Sequence, residues 1–239
     1  MSALRRIGHK GADLIVPGNT PASFDAALEH GVDMIEFDIL EHEGRLILAH
    51  DFEHVDGAPT LEEGLAHLAS RPFEGIELDV DLKLPGYEER AVAALREYGL
   101  VERTLVSTMW MRSLITLRAL EPRLRLGWSV PRLRNDPTQS WLTKLPAYAG
   151  AAWVRTKLPR SAAAHIEAGR CDAVMSHWRL VTPRLVRAIK DAGGELYVWT
   201  VDDGPRIGKL ERLGVTGVIT NDPRLFGPRQ APNAQVAAE

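Results

Sequence analysis

The chain has 239 residues, 45% hydrophobic and 26% charged, a composition typical of globular proteins and long enough for one large α/β domain. Its formal charge of −3 gives no basic field for holding nucleic acid or an anionic membrane, so no nucleic-acid partner is expected. The lone cysteine, Cys171, excludes an intramolecular disulfide framework and any cysteine-based zinc cluster, and fits a reducing compartment.

In chain order, Met1 to Arg6 is too short and too charged for a signal sequence, and a short apolar strand, Leu4 to Gly8, ends at His9-Lys10-Gly11. Thr20-Pro21 caps a helix that runs to His30 and stops at Gly31. Met34 to Leu40 alternates apolar Ile35, Phe37 and Ile39 with acidic Glu36 and Asp38, the period-2 pattern of a strand with two unlike faces. Glu41 to Gly44 turns the chain, and Arg45 to His50 returns. Thr60-Leu61-Glu62-Glu63 is a capping box for a helix reaching about Ser70. Gly75 to Leu84 repeats the two-faced pattern, with Ile76, Leu78, Val80 and Leu82 against Glu77, Asp79, Asp81 and Lys83.

The second half continues the alternation. Glu88 to Tyr98 is a helix, Thr104 to Thr108 a strand, Arg112 to Leu120 a helix and Leu124 to Val130 a strand. Pro131 to Arg160 lacks clean periodicity, and a short strand is placed at Ala147 to Thr156. Ala162 to Ala168 is a helix stopped by Gly169, Asp172 to His177 a strand, and Thr182-Pro183 caps a helix to Ala192. Leu196 to Val201 is a strand, Pro205 to Leu213 a helix and Gly217 to Thr220 a last strand. Residues 4–226 are expected to form a single domain and 227–239 a disordered tail. No apolar run approaches the ~18 residues of a membrane span, so a cytoplasmic protein without stable membrane insertion is expected.

Strands and helices alternate about eight times with no dividing linker, which favours a closed (β/α)8 TIM barrel over a doubly wound open sheet. Outward strand faces then meet helices, while inward faces near the C-terminal rim can be polar. Two carboxylates on one face of a buried strand repel each other and cost several kcal/mol to desolvate, and a cation removes that penalty. His9, Lys10, Glu36, Asp38, His50, Asp79, Asp81, Lys83, Thr200 and Asp202 all collect at that rim. Carboxylate-only ligation suits Mg²⁺ or Ca²⁺, paired histidines suit acid–base work near neutral pH, and lysines beside a hard metal suit a phosphate.

The run His9-Lys10-Gly11-Ala12, then Asn19-Thr20, Glu36-Phe37-Asp38 and His50-Asp51 resembles the glycerophosphodiester phosphodiesterase family. The family pattern is a His-Arg-Gly start, a Glu-Asn-Thr turn, a Glu-x-Asp strand and a His-Asp pair. Leu78 to Lys83 is similar to its Leu-Asn-Ile-Glu-Ile-Lys strand, and Trp199 to Asp202 and Gly217 to Pro223 to its closing motifs. The resemblance implies a (β/α)8 barrel of the phospholipase C-like phosphodiesterase type. It further implies metal-dependent hydrolysis of a small-molecule glycerophosphodiester to glycerol phosphate and an alcohol. By position it makes His9 and His50 the acid–base pair, and gives one divalent metal, Mg²⁺ or Ca²⁺, to Glu36, Asp38 and Asp81. Lys10 and Lys83 would contact phosphate.

Lys10 stands for the family's arginine, Gly18 for the glutamate of Glu-Asn-Thr, and Asp81 for a glutamate one methylene longer. The insertion usual between His50 and Thr60 is almost absent, so an open mouth is expected. Trp110, Trp178 and Trp199 fall at strand ends, where packing beneath loops is tryptophan's ordinary fate. Trp199, in a family motif, is read as a wall for the alcohol group. Asp79 reads as a ligand or, equally, as a support for the ligands or an ion-pair partner, and His177 stands at a strand end from which it could reach the pocket. His30, His42, His54, His67 and His165 are read as solvent-facing. The rival readings are a non-catalytic barrel that binds a phosphorylated ligand and a metal-dependent lyase acting on a phospho-compound.

Overall fold

The computed structural model describes residues 3–131 and 141–228, with the backbone alone over 141–153. The first half of the chain runs β1 (Arg5–Gly8), α1 (Pro21–Glu29), β2 (Met34–His42), β3 (Arg45–Ile47), α2 (Leu61–Leu68), β4 (Glu77–Leu82), α3 (Glu88–Glu97) and β5 (Thr104–Thr108). The second half runs α4 (Met111–Leu120), β6 (Arg125–Val130), α5 (Trp141–Glu167), β7 (Ala173–His177), α6 (Pro183–Asp191), β8 (Glu195–Trp199), α7 (Gly204–Leu213) and β9 (Gly217–Thr220). Eight strands pair in parallel in the order β1-β9-β8-β7-β6-β5-β4-β2, and a β1–β2 pairing shuts the ring. That closure decides for the (β/α)8 barrel over the open sheet. Among the described strands only β3 is antiparallel, a hairpin return on the upper end of β2.

Local chemistry starts the helices where the sequence places them. Thr20 accepts the Ser23 N–H with Pro21 in the first turn, and Thr182 accepts the Leu185 N–H ahead of Pro183. Thr60 and Glu63 exchange both bonds of a capping box. Period 2 then sorts the strand residues. Ile35, Phe37, Leu78 and Val80 face outward into the layer beneath the helices, where Phe37 meets Phe24 of α1 at 5.6 Å between ring centroids. Ile7, Met34, Leu105, Met175, Tyr197 and Ile219 cluster inside the ring. The barrel is therefore a packed core rather than a channel.

At the lower end, the first residues of alternate strands close the barrel with charge. Glu77 Oε2 takes 2.8 Å bonds from both Arg5 and Arg125, and Glu195 pairs with Arg125 at 3.4 Å and with the Tyr197 hydroxyl at 3.0 Å. Two arginines against two glutamates leave this base neutral, so burying it carries no unpaired ion.

The strand expected at Ala147 to Thr156 is not formed: the whole of 141–167 is the helix α5, and β6 pairs directly with β7. Alanine-rich sequence with no neighbouring edge to pair with falls to the helix, the conformation that satisfies its own backbone. His165, expected to face solvent, is half-buried with its ring edge-on to Trp128 at 4.9 Å. The expected tail lies outside the described residues beyond Pro228. Among the described residues no helix is long and apolar enough to cross a membrane.

Candidate active site

The parallel register of β2 and β4 sets Glu36 beside Asp79 and Asp38 beside Asp81, four carboxylates on the inward face of two adjacent strands. One oxygen each of Glu36, Asp38 and Asp81 lies within 4.8 Å of the others. Asp79 sits beneath them, 1% exposed, with its Oδ1 lacking any hydrogen-bond partner; burial pushes its carboxyl up to about 8 against a Ser107 hydrogen bond. Burial, reinforced by Asp38, likewise raises Glu36 well above the ordinary carboxylate range. Burial works against ionising Asp38 as well, but the adjacent Lys83 ammonium overrides it and holds that carboxyl well below its usual value.

Lys83 lies between the two aspartates, its Nζ 2.5 Å from Asp38 Oδ1 and 2.6 Å from Asp81 Oδ2. Its ammonium is buried, which lowers its proton affinity, yet the facing carboxylates, Asp38 first, raise it above the ordinary lysine value. An all-oxygen set with an orphaned Asp81 Oδ1 and crowded, desolvated charge fits a hard divalent ion. The lysine offsets only part of that charge.

The loop from His9 to Asn19 is folded against this cluster. Lys10 and Asn19 both have left-handed backbones, φ 50 and 58, which cost about 1–2 kcal/mol each for residues with a Cβ. Hydrogen bonds over-determine them. The Lys10 N–H donates to Glu36 Oε2 at 2.8 Å, and its carbonyl accepts from the Asn19 N–H and Ser23 Oγ. The Asn19 side chain donates to Asp38 Oδ2 and accepts the Asp38 N–H, both at 3.0 Å. The loop thus leaves Glu36 one oxygen and orients Asp38.

Both histidines reach the cluster from opposite sequence neighbours. His9 Nδ1 is 2.5 Å from Asn221 Oδ1 and its Nε2 is 3.8 Å from Glu36 Oε2. Burial pushes the His9 imidazole below its ordinary value, against the pull of Asp38. His50 Nδ1 lies 3.1 Å from Asp38 Oδ2, and its side chain is 51% exposed. Beside it a cleft of about 540 Å³ opens between the β1–α1 and β3–α2 loops, lined by Lys10, Asp13, Gly18, His50 and His54 among others.

The Lys10 ammonium turns to Asp13 at 2.7 Å, so only the Lys10 backbone touches the acidic cluster. Trp199, half-buried at the end of β8, stands directly across the ring from β4, edge-on to His177 at 5.2 Å. Trp110 donates to the Lys83 carbonyl, and Trp178 lies under the Arg206 guanidinium at 3.9 Å. Asp51 accepts from the Glu53 N–H and pairs with His54, which stabilises its own turn. Glu77 belongs to the base. Sequence reasoning assigned no role to Asn19, Asp13 or Asn221, although Asn19 and Asn221 both lie inside quoted motifs.

The profile of the glycerophosphoryl diester phosphodiesterase family matches residues 9–62 and 79–225. A glycerophosphodiester phosphodiesterase of Caldanaerobacter subterraneus subsp. tengcongensis is 28% identical over 91% of this chain and 93% of its own. Among solved structures, a glycerophosphodiester phosphodiesterase of Agrobacterium tumefaciens superposes with a TM-score of 0.69 at 20% identity, covering 93% of this chain and 97% of that one. A phosphodiesterase of Oleispira antarctica in complex with its product sn-glycerol-3-phosphate superposes with a TM-score of 0.67 at 22% identity, covering 93% and 94%. At these identities the two structures bear on the fold.

Proposed function

The chain belongs to the glycerophosphoryl diester phosphodiesterase family, and from that premise we propose that it hydrolyses glycerophosphodiesters to glycerol phosphate and an alcohol with one divalent metal and two histidines. The observation that carries the reading is the pairing of an oxygen-only cluster, Glu36, Asp38 and Asp81, with His9 and His50 at its edges. Mg²⁺ or Ca²⁺ held by those three carboxylates would polarise the phosphoryl oxygens. A product-bound relative of the same fold supports a small phosphate ester as the ligand.

The remaining steps belong to side chains of this protein. His9, buried and pushed towards its neutral form, takes the proton of the attacking hydroxyl or water. His50, half exposed beside the open cleft, gives a proton to the departing alkoxide, which leaves through that cleft. Lys83 and Lys10 are the cations for the phosphate charge: the Lys83 ammonium lies between Asp38 and Asp81, beside the carboxylates that would hold the metal, and Lys10 lines the cleft beside His50. Trp199 forms the far wall for the alcohol group.

Glycerophosphocholine turnover, with and without EDTA, tests the reading alongside His9→Ala and His50→Ala. Activity should vanish with EDTA, return with Mg²⁺ or Ca²⁺, and fall about 10²- to 10⁴-fold in each variant. Unchanged activity in either variant sinks the two-histidine scheme. No turnover of any diester would move the assignment to a phosphate-binding barrel.

A further inference from the structure

The first and last strands of the barrel meet through a hydrogen-bond path that the proposed chemistry does not use. Asn221, just past β9, places Oδ1 2.5 Å from His9 Nδ1 and donates from Nδ2 to Asp202 Oδ2 at 2.6 Å. Asp202, past β8, also accepts the Asn221 backbone N–H at 2.8 Å and the Thr220 hydroxyl at 2.9 Å. The backbone beneath is fixed as well, because the His9 N–H donates to the Thr220 carbonyl at 2.8 Å and the Asn221 carbonyl accepts from Leu14 at 3.0 Å.

Donor and acceptor types leave one arrangement. An ionised carboxylate only accepts, so the amide must turn its NH₂ towards Asp202. Its oxygen is then the atom facing His9. An amide oxygen also only accepts, so the proton between them sits on Nδ1. We propose that Asp202 and Asn221 are positioning residues that lock His9 in its Nδ1–H tautomer and make Nε2 its working nitrogen. Nε2 is the ring atom that faces the acidic cluster, 3.8 Å from Glu36 Oε2 and beyond hydrogen-bond reach of it. The lone pair is thereby aimed at the space where a reacting hydroxyl would sit, and rotation of the ring is blocked from behind. Asp202 is exposed and touches neither the acidic cluster nor His9, so its effect must pass through the amide.

The inference rests on His9 as an acid–base group, and a tautomer measurement separates the two claims. Long-range ¹H–¹⁵N spectra of the full-length ¹⁵N-labelled protein near pH ~8, above the ordinary histidine value, read both ring nitrogens without turnover. His9→Gln assigns the signals. The wild-type ring should carry its proton on Nδ1; a proton on Nε2 overturns the proposal with no variant needed. Asp202→Ala frees the amide to turn, so mixed tautomers and a kcat loss on the order of 10- to 100-fold are expected, with KM changed about 2-fold or less. The exchanged pair Asp202→Asn/Asn221→Asp rebuilds the path with acceptor and donor traded. It should restore the Nδ1–H tautomer and most of the lost kcat. An Asp202→Ala protein with native tautomer and native kcat, or an exchanged pair no better than Asp202→Ala, also overturns it. A protein inactive on every diester but with the Nδ1–H signature would count against the hydrolase reading and for this one.

Discussion

Gly18 shows how much one missing side chain can determine. A Cβ there would lie 2.5 Å from Asp13 Oδ1 and 2.7 Å from Lys10 Cβ, and the Gly18 N–H donates to the same Asp13 oxygen at 2.9 Å. Asp13 therefore fills the space a side chain at position 18 would take, and its other oxygen pairs with Lys10. The glutamate expected at 18 and the arginine expected at 10 are replaced together, with the carboxylate now supplied from position 13. Gly18→Glu should displace Asp13 and raise KM for the diester about 10-fold, whereas Asp13→Ala/Gly18→Glu should recover a large part of it. Steady-state kinetics across the double-mutant cycle measure the coupling, and additive effects would refute it. The convergence of Glu36, Asp38, Asp81 and both histidines was legible in the sequence, because period-2 strands and strand-end motifs place them at one rim of a barrel. Asp13 and Asn221 were not, since a short polar residue in a loop has many ordinary uses and its partner is set by the fold.

Elements were legible where local chemistry alone decides them. Thr20-Pro21, the Thr60 to Glu63 box and Thr182-Pro183 start helices in the structure as their sequence predicts. The two-faced strands β2 and β4 were also plain, because one face packs under helices and the other lines the site. The failure at Ala147 to Thr156 has the opposite cause: alanine carries almost no periodic signal, so only the absence of a sheet edge assigns it to α5. Elements are also joined by contacts that no pattern announces. The Arg103 guanidinium, just before β5, donates to the Leu68 carbonyl at the end of α2 and to the Phe73 and Ile76 carbonyls ahead of β4. Arg103→Lys replaces two guanidinium nitrogens, which reach the three carbonyls from separate positions, with a single ammonium on a shorter stem. It should cost about 2 kcal/mol and lower the melting temperature by roughly 5 °C without changing KM. Thermal denaturation followed by circular dichroism checks this, and an unchanged melting temperature would show those carbonyls to be adequately solvated.

At the scale of the whole molecule, the barrel class was legible from the count of alternations, while its charged base was not. Arg5, Glu77, Arg125 and Glu195 are scattered along the sequence, and nothing local marks them as neighbours. The base is neutral, whereas at the other rim four carboxylates, Glu36, Asp38, Asp79 and Asp81, crowd around the buried Lys83 ammonium. A divalent cation bound there stabilises the native state by mass action, about 2.7 kcal/mol at a hundredfold excess over Kd. The melting temperature should rise with Mg²⁺ or Ca²⁺ and return to its starting value with EDTA. Asp81→Asn should shrink the rise, and a wild-type protein indifferent to both ions would argue against a metal at the rim. Cys171 is a built-in reporter for such experiments: it is buried and burial pushes its thiol up to about 12, so it should react with thiol reagents only as the barrel opens.

The path from His9 to Asn221 and Asp202 also bears on the order in which the protein is made. Every proposed metal ligand, both histidines and both lysines precede residue 84, so they are made ahead of β8 and β9. The residues that hold His9 emerge more than a hundred positions later, just past β8 and just past β9, the strand that seals the ring. The acidic side chains are therefore synthesised well before the partner of the imidazole. If His9 is the base proposed above, competence for hydrolysis would await the last strand, and incomplete chains would lack an oriented base.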